Sequence, residues 1–408
     1  ANGTFVYDDS DLQNPLEVRP EADTSDPETL GEFVKDSIAS YPAEKYLLVG
    51  KNGHAWCGIC PDQLGEGNTS TPANRTMTID GMASVLAAVE KESGERIDVV
   101  LLDGDNMASL EAAYELRHVT DILVASQQEV PLDGFPYYLF LKHLLEGAAG
   151  DAVVEPSRLA CTIVEDYVYY YNNTDGKKVL LDHLLSNSQM AVTASAFRTG
   201  ENGTAIERIV EAFDAALDHM IEGCDGMWIP LNRNNIASAR DYALIGKMGD
   251  QAGYEWLPDV YSWLDMTDRL VQLYPPEDPL WAGNDTEFSD LVGEFLQSIL
   301  DARICMEECQ ILARSNNSDP HGLNIWFPPT WMHWDPLDMT RERTYLYEGA
   351  DFSLPPEYYC VDCPYDYREC GLDVVEDTSW MGFFEVYYES RWLLYNSGSG
   401  ESAPRYGS

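Results

Sequence analysis

Apolar runs rich in β-branched residues at 46–50, 97–103, 121–126 and 188–195 alternate along the chain with segments at 79–92, 106–118, 134–147 and 155–171. In these segments apolar residues recur every three or four positions. The short continuous runs predict strands buried on both faces, and the wider spacing predicts amphipathic helices. Their alternation predicts an α/β fold, a mostly parallel sheet flanked by helices. Asp26 followed by Pro27 predicts the N-cap and first turn of a helix ending near residue 39. Longer amphipathic segments follow at 203–222, 256–274 and 286–312, and no internal repeat is evident. The carboxyl ends of such strands share one edge of the sheet, where folds of this class place their sites.

The pattern divides the chain. Residues 1–25 form an acidic, proline-containing arm, 26–335 the α/β domain, and 336–376 an insertion carrying EYYCVDCPYDYREC (357–370). Residues 377–395 then form a closing helix of the domain, and 396–408 a Gly/Ser-rich tail. The insertion is too irregular for a helix and reads as a disulfide-stapled Cys/Tyr-rich segment. Tails with the composition of 396–408 are ordinarily disordered.

Charge narrows the function. The formal charge is −45, from 70 acidic against 25 basic residues. This makes nucleic acid and anionic membranes poor partners, because phosphate binding needs clustered Lys and Arg. No cofactor is implied beyond calcium or magnesium held weakly between carboxylates. No apolar run reaches the length of a membrane span, so no transmembrane segment is expected.

Three features predict export. The chain begins at Ala1, as after removal of a secretory signal. Seven Asn-x-Ser/Thr sequons, at Asn2, Asn68, Asn74, Asn172, Asn202, Asn284 and Asn316, use seven of the eighteen asparagines and mark candidate glycosylation sites. The nine cysteines, Cys57, Cys60, Cys161, Cys224, Cys305, Cys309, Cys360, Cys363 and Cys370, are disulfide candidates in an oxidising compartment. Their odd number leaves at least one free or bonded to another chain. The Cys57/Cys60 and Cys360/Cys363 pairs have the ligand spacing of a structural zinc site, but their wide separation and an exported setting favour disulfides. Cys305 and Cys309 share one helix face and are expected to bridge outward to different partners.

Several ordered blocks resemble the clostripain-like cysteine peptidases, a caspase-like α/β family, over most of residues 28–388. YPAEKYLLVGKNGHAW (41–56) is similar to the family's first core strand, which runs into His-Gly-x-Gly-Trp. IDVVLLDGDNMASLEAAYEL (97–116) is similar to the next strand and helix, with Asp103, Met107 and Glu111 matching Asp-x-Cys-x-Met and the Glu-rich helix start. DILVASQQEVPLDGFPYYLFLKHLL (121–145), GLNIWFP (322–328) and DTSWMGFFEVYY (377–388) resemble the following strand and helix, a late strand and the closing helix. The resemblance implies that the catalytic histidine position holds Asn52 and the cysteine position Asp105. A peptidase of this class needs a thiolate and an imidazole that takes and returns a proton. Asn52 cannot titrate, and an ionised Asp105 is a poor nucleophile that repels a developing oxyanion. His54 and Cys57 are the fallback pair, although a Cys57–Cys60 disulfide would remove the thiol.

These features predict a secreted, glycosylated pseudo-peptidase, not an enzyme. Its expected role is that of a structural subunit of a cell-surface assembly such as an archaeal sheath or surface layer. Self-association into a polymer would use intermolecular disulfides and strand addition at a sheet edge. The alternatives are an active cysteine peptidase with a rearranged site at His54 and Cys57, and an adhesin or other peptide-binding module.

Overall fold

Every residue from Ile97 to Gly104 is buried, in a strand paired on both sides within the main sheet. The computed structural model describes residues 4–6, 17–19, 22–54, 58–62, 75–131, 133–147, 154–173, 192–200, 203–225, 233–244, 257–273, 286–316, 320–327, 372–384 and 386–387. In chain order the first elements are β1 (Thr4–Val6), β2 (Glu17–Arg19), α1 (Pro27–Ser40), β3 (Leu47–His54), β4 (Ile59–Asp62), β5 (Arg75–Met77) and α2 (Ile79–Ser93). Next come β6 (Ile97–Asp105), α3 (Leu110–Glu115), β7 (Thr120–Ala125), α4 (Tyr137–Gly147), α5 (Pro156–Asn172) and β8 (Thr193–Arg198). The last are α6 (Thr204–Asp225), α7 (Arg233–Tyr242), α8 (Val260–Gln272), α9 (Thr286–Cys309), β9 (Gln310–Ser315) and α10 (Asp373–Asp377).

Local chemistry sets the helix ends. The Asp26 carboxylate accepts the Glu28 N–H at the start of α1, with Pro27 in the first turn, as the Asp-Pro pair predicts. Thr78 caps α2 through the Gly81 N–H, and Gly94 ends that helix at φ 76°, where a side chain would be strained. Ser109 and Asp259 cap α3 and α8 in the same way.

The main sheet has five strands in the order β3-β6-β7-β8-β9, while β1-β2 and β4-β5 form separate two-stranded sheets. β3, β6 and β7 are parallel, and β8 and β9 join antiparallel. Val100 and Leu102 of β6 face one core, which they share with Leu86 of α2, Phe213 of α6, Trp263 of α8 and Phe295 of α9. Val99 and Leu101 face the other, with Phe140 of α4 and Ile163 and Tyr167 of α5. The alternation of side chains along one strand thus serves two cores, so the run from Val99 to Leu102 is apolar at every position. An aromatic cluster fixes the late segments to the first core. Trp263 lies 5.0 Å from Phe327 between ring centroids, and Trp380 lies 4.5 Å from Phe384.

The expected mostly parallel sheet flanked by helices is present: β3, β6, β7 and β9 run one way and β8 alone runs against them. Four other expectations need correction. The run at 188–195 becomes a strand only from Thr193, and the amphipathic stretch to 312 breaks at Cys309 into β9, where pairing with β8 overrides helical spacing. Within 322–328, the described residues form bridges from Asn324 to Ser109 and Asp259 and no strand. Cys305 and Cys309 point inward: both are buried, and Cys309 Sγ donates to the Ala205 carbonyl at 3.4 Å. Burial raises both thiols, Cys309 to about 11, so neither is poised to bridge outward.

Candidate active site at the carboxyl edge of the sheet

Two glycines bring the ends of β3 and β6 together. A Cβ on Gly104 would stand 2.4 Å from the Gly53 nitrogen, and one on Gly53 would stand 2.8 Å from Met107 Sδ. The register runs Lys51 to Asp103 and His54 to Asp105, with an irregularity between, and Asn52 occupies that irregularity at φ 59°. Asn52 and Asp105 therefore sit on neighbouring strand ends. The Asn52 side chain is exposed.

The carboxylates here are held differently. Asp103 is buried, accepts from the Tyr137 hydroxyl and from the Phe135 N–H at 3.4 Å, and has Lys51 Nζ 3.9 Å away. Lys51 also lies over the Tyr137 ring, 5.4 Å from its centroid. Gly134, at φ 69°, permits this approach, since a Cβ there would stand 2.6 Å from Asp103 Oδ2. Burial, then the bond to Asp103, pushes the Tyr137 phenol well above its ordinary range, so it stays protonated as the donor. Asp105 Oδ1 accepts the Val130 N–H at 2.7 Å. Burial first, and the Asp105 charge second, push Glu129 up to about 7. Tyr167 is fully buried and its phenol is raised, by burial and then by Tyr171, Asp103 and Asp105. The site thus combines an exposed ammonium and carboxamide with an acidic floor.

The predicted thiols distribute unevenly. Cys60, Cys161, Cys305 and Cys309 are free. The half-buried Cys60 thiol lies beside the Lys51 backbone and is raised by burial. His54 ends β3, next to the dyad positions. Cys57, Cys360, Cys363 and Cys370, the sequons at Asn2, Asn68, Asn74, Asn202 and Asn284, and the tail at 396–408 lie outside the described residues. Cys224 lies within α6. Asn172 is exposed at the end of α5, whereas Asn316 Oδ1 accepts the Val192 N–H at 3.0 Å. Among the described residues no group of three or more His, Cys, Asp and Glu is arranged to hold a metal.

Sequence patterns missed a polar junction beside this edge, because its members lie far apart in the chain. Gln127 Nε2 donates to Asp259 Oδ2 at 2.8 Å and to Asn324 Oδ1 at 3.0 Å, and the Gly322 N–H donates to Gln127 Oε1 at 2.9 Å. Ser262, His321 and Asp259 have the composition of a hydrolytic triad, but Ser262 Oγ and Asp259 Oδ1 both meet His321 Nδ1, at 3.1 and 3.4 Å. A proton relay needs the two opposite ring nitrogens. Asp259 also accepts the Ser262 N–H at 2.7 Å, so this group pins a helix start.

A sheet with helices on both faces and paired strand ends carrying its site is the caspase-like architecture of a class of cysteine peptidases. The clostripain family model matches residues 4–220, more than half of the chain, and the protein belongs to that family. Among solved structures, the secreted C11 cysteine protease iotapain of Bacteroides thetaiotaomicron is 14% identical over 79% of this chain and 77% of that one, with a TM-score of 0.47. An inactive zymogen C11 protease of Parabacteroides distasonis is 17% identical over 77% and 73%, with a TM-score of 0.43. No curated relative matches the chain. The family match corrects one expectation: substitution at two positions led us to expect no enzyme, whereas the chain belongs to a peptidase family.

Proposed function

We propose that this clostripain-family protein works outside the cell as a structural subunit of a self-assembled surface layer or sheath, of the archaeal kind. The observation that carries this is the edge strand β9. Among the described residues no strand pairs beyond it, and it contains no proline to block an incoming strand. Its residues are largely half-exposed, so its outer backbone groups are a template for pairing. The acidic composition, the sequons and the odd cysteine number support an exported setting. Each covalent link between copies would join two thiols, which lose two protons and two electrons to dioxygen. Among the described residues no helix is long and apolar enough to cross a membrane. Electron microscopy of the purified full chain and of native envelopes tests the proposal. Tubes or sheets containing the chain are expected, and a monodisperse monomer at every concentration overturns it.

Family membership favours a second function, peptide hydrolysis with Cys57 as thiol and His54 as base. A thiol-directed peptide probe should then label Cys57, and Cys57→Ala should abolish both labelling and turnover. An unlabelled Cys57 rejects it. The assembly proposal concerns what the chain builds and stands independently of this result.

A further inference from the structure

The chain has few cations, and most of the described ones are committed to its own carboxylates: Lys35 to Glu92 at 2.5 Å, Arg208 to Glu308 at 3.1 Å, Arg269 to Asp265 at 2.7 Å and Arg303 to Asp265 at 2.6 Å. Arg198, ending β8, and Arg314, on β9, are exceptions. Both are exposed, and neither has an ion-pair partner among the described residues. Arg314 pairs in register with Ala194, two residues from Ala196 and four from Arg198, so both arginines project from the sheet face that α5 covers. The half-buried Cys161 thiol of α5 feels Glu165 of the same helix first and then both arginines, so the three charges lie on the α5 side of the sheet. Arg314 on the edge strand and Arg198 on the strand beside it thus set two guanidinium groups, without an ion-pair partner among the described residues, against one nearby carboxylate, in a chain with 70 acidic and 25 basic residues.

We infer that the β9 edge with Arg198 and Arg314 is a docking surface for an acidic surface on a second copy of this chain. This rests on the assembly proposed above and specifies its contact. Charge decides the geometry. Pairing β9 with itself about a two-fold axis would place the arginines of both copies on one face, like charge against like. Docking against a different, carboxylate-rich surface satisfies them. A contact between two different surfaces is heterologous, and it propagates into rings or open filaments where a two-fold contact stops at a dimer.

Sedimentation velocity of the full chain over a concentration series, at low and high salt, tests the contact with two variants. Arg198→Glu with Arg314→Glu should weaken self-association at least about tenfold while circular dichroism stays unchanged, and added salt should weaken the unmodified chain in the same direction. Arg314→Lys keeps the charge and provides an amine that carbodiimide can join to a neighbouring carboxylate. In a mixture of isotopically light and heavy chains, mixed cross-linked peptides at position 314 are expected. Undiminished assembly of the charge-reversed protein, or cross-links confined to single chains, overturns this interface and leaves the assembly proposal intact. An unmodified chain that never associates overturns the assembly proposal itself.

Discussion

Replacing Glu115 with glutamine should make the protein more stable at alkaline pH and leave it unchanged at acid pH. Glu115 ends α3, is 5% exposed, and accepts the Asp373 N–H that opens α10. Burial raises its carboxyl from 4.5 to about 7, with the Asp373 N–H opposing the shift. Near pH 4.5 and below, folded and unfolded chains both hold the proton and Glu115 makes no difference. Between 4.5 and about 7 the folded chain holds a proton that the unfolded chain releases, so stability falls as pH rises. Above that window the full cost of a buried charge is present. A shift of this size corresponds to about 3 kcal/mol at 1.36 kcal/mol per unit. Glutamine keeps an acceptor for the Asp373 N–H and cannot ionise. Urea midpoints for both proteins, measured by circular dichroism in steps from pH 4.5 to 8, give the difference directly, and the strong repulsion of a highly acidic chain cancels between them. The expected gap opens from near zero to about 3 kcal/mol. Parallel curves, with no gap at pH 8, would refute burial as the dominant influence on this carboxyl.

Tyr137→Phe removes a donor from buried Asp103 and should cost about 1–3 kcal/mol, read from thermal melts. An unchanged melting temperature would mean that Lys51 and the Phe135 N–H suffice. Gly104→Ala drives a methyl group into the Gly53 backbone and should cost about 1–3 kcal/mol or more, with hydrogen exchange rising first at the ends of β3 and β6. Equal protection there would contradict the close approach. Arg117→Ala removes a buried guanidinium from half-exposed carboxylates that water can reach. It lies 2.7 Å from Asp373, 3.6 Å from Glu207 and 3.6 Å from the Tyr114 ring centroid, and its loss should cost about 1–2 kcal/mol and release the segment that starts at Leu372 to proteolysis.

Much of this arrangement was legible from local pattern. The parallel strands β3, β6 and β7 and the helices between them follow from apolar runs and helical spacing, and the caps at Asp26 and Gly94 from single residue types. Asn52 and Asp105 were identifiable as strand-end residues because the motifs around them are local. Periodicity shows that Cys305 and Cys309 share a helix face, but only the packing of α9 against α6 decides that this face is covered. Strand direction after β7 was equally hidden, since an apolar run reads the same in a parallel or an antiparallel ladder and the choice lies with the intervening elements. The junction of Gln127, Asp259, His321 and Asn324, the clasp of Arg117 on α10 and the placement of Arg198 and Arg314 around Cys161 unite residues from distant parts of the chain. Sequence determined the elements, the sign of the surface and the residues at the strand ends, because these depend on neighbours within a turn or two. Tertiary structure alone decided which charges are answered within the chain and which are not, because burial and pairing exist only once distant segments meet.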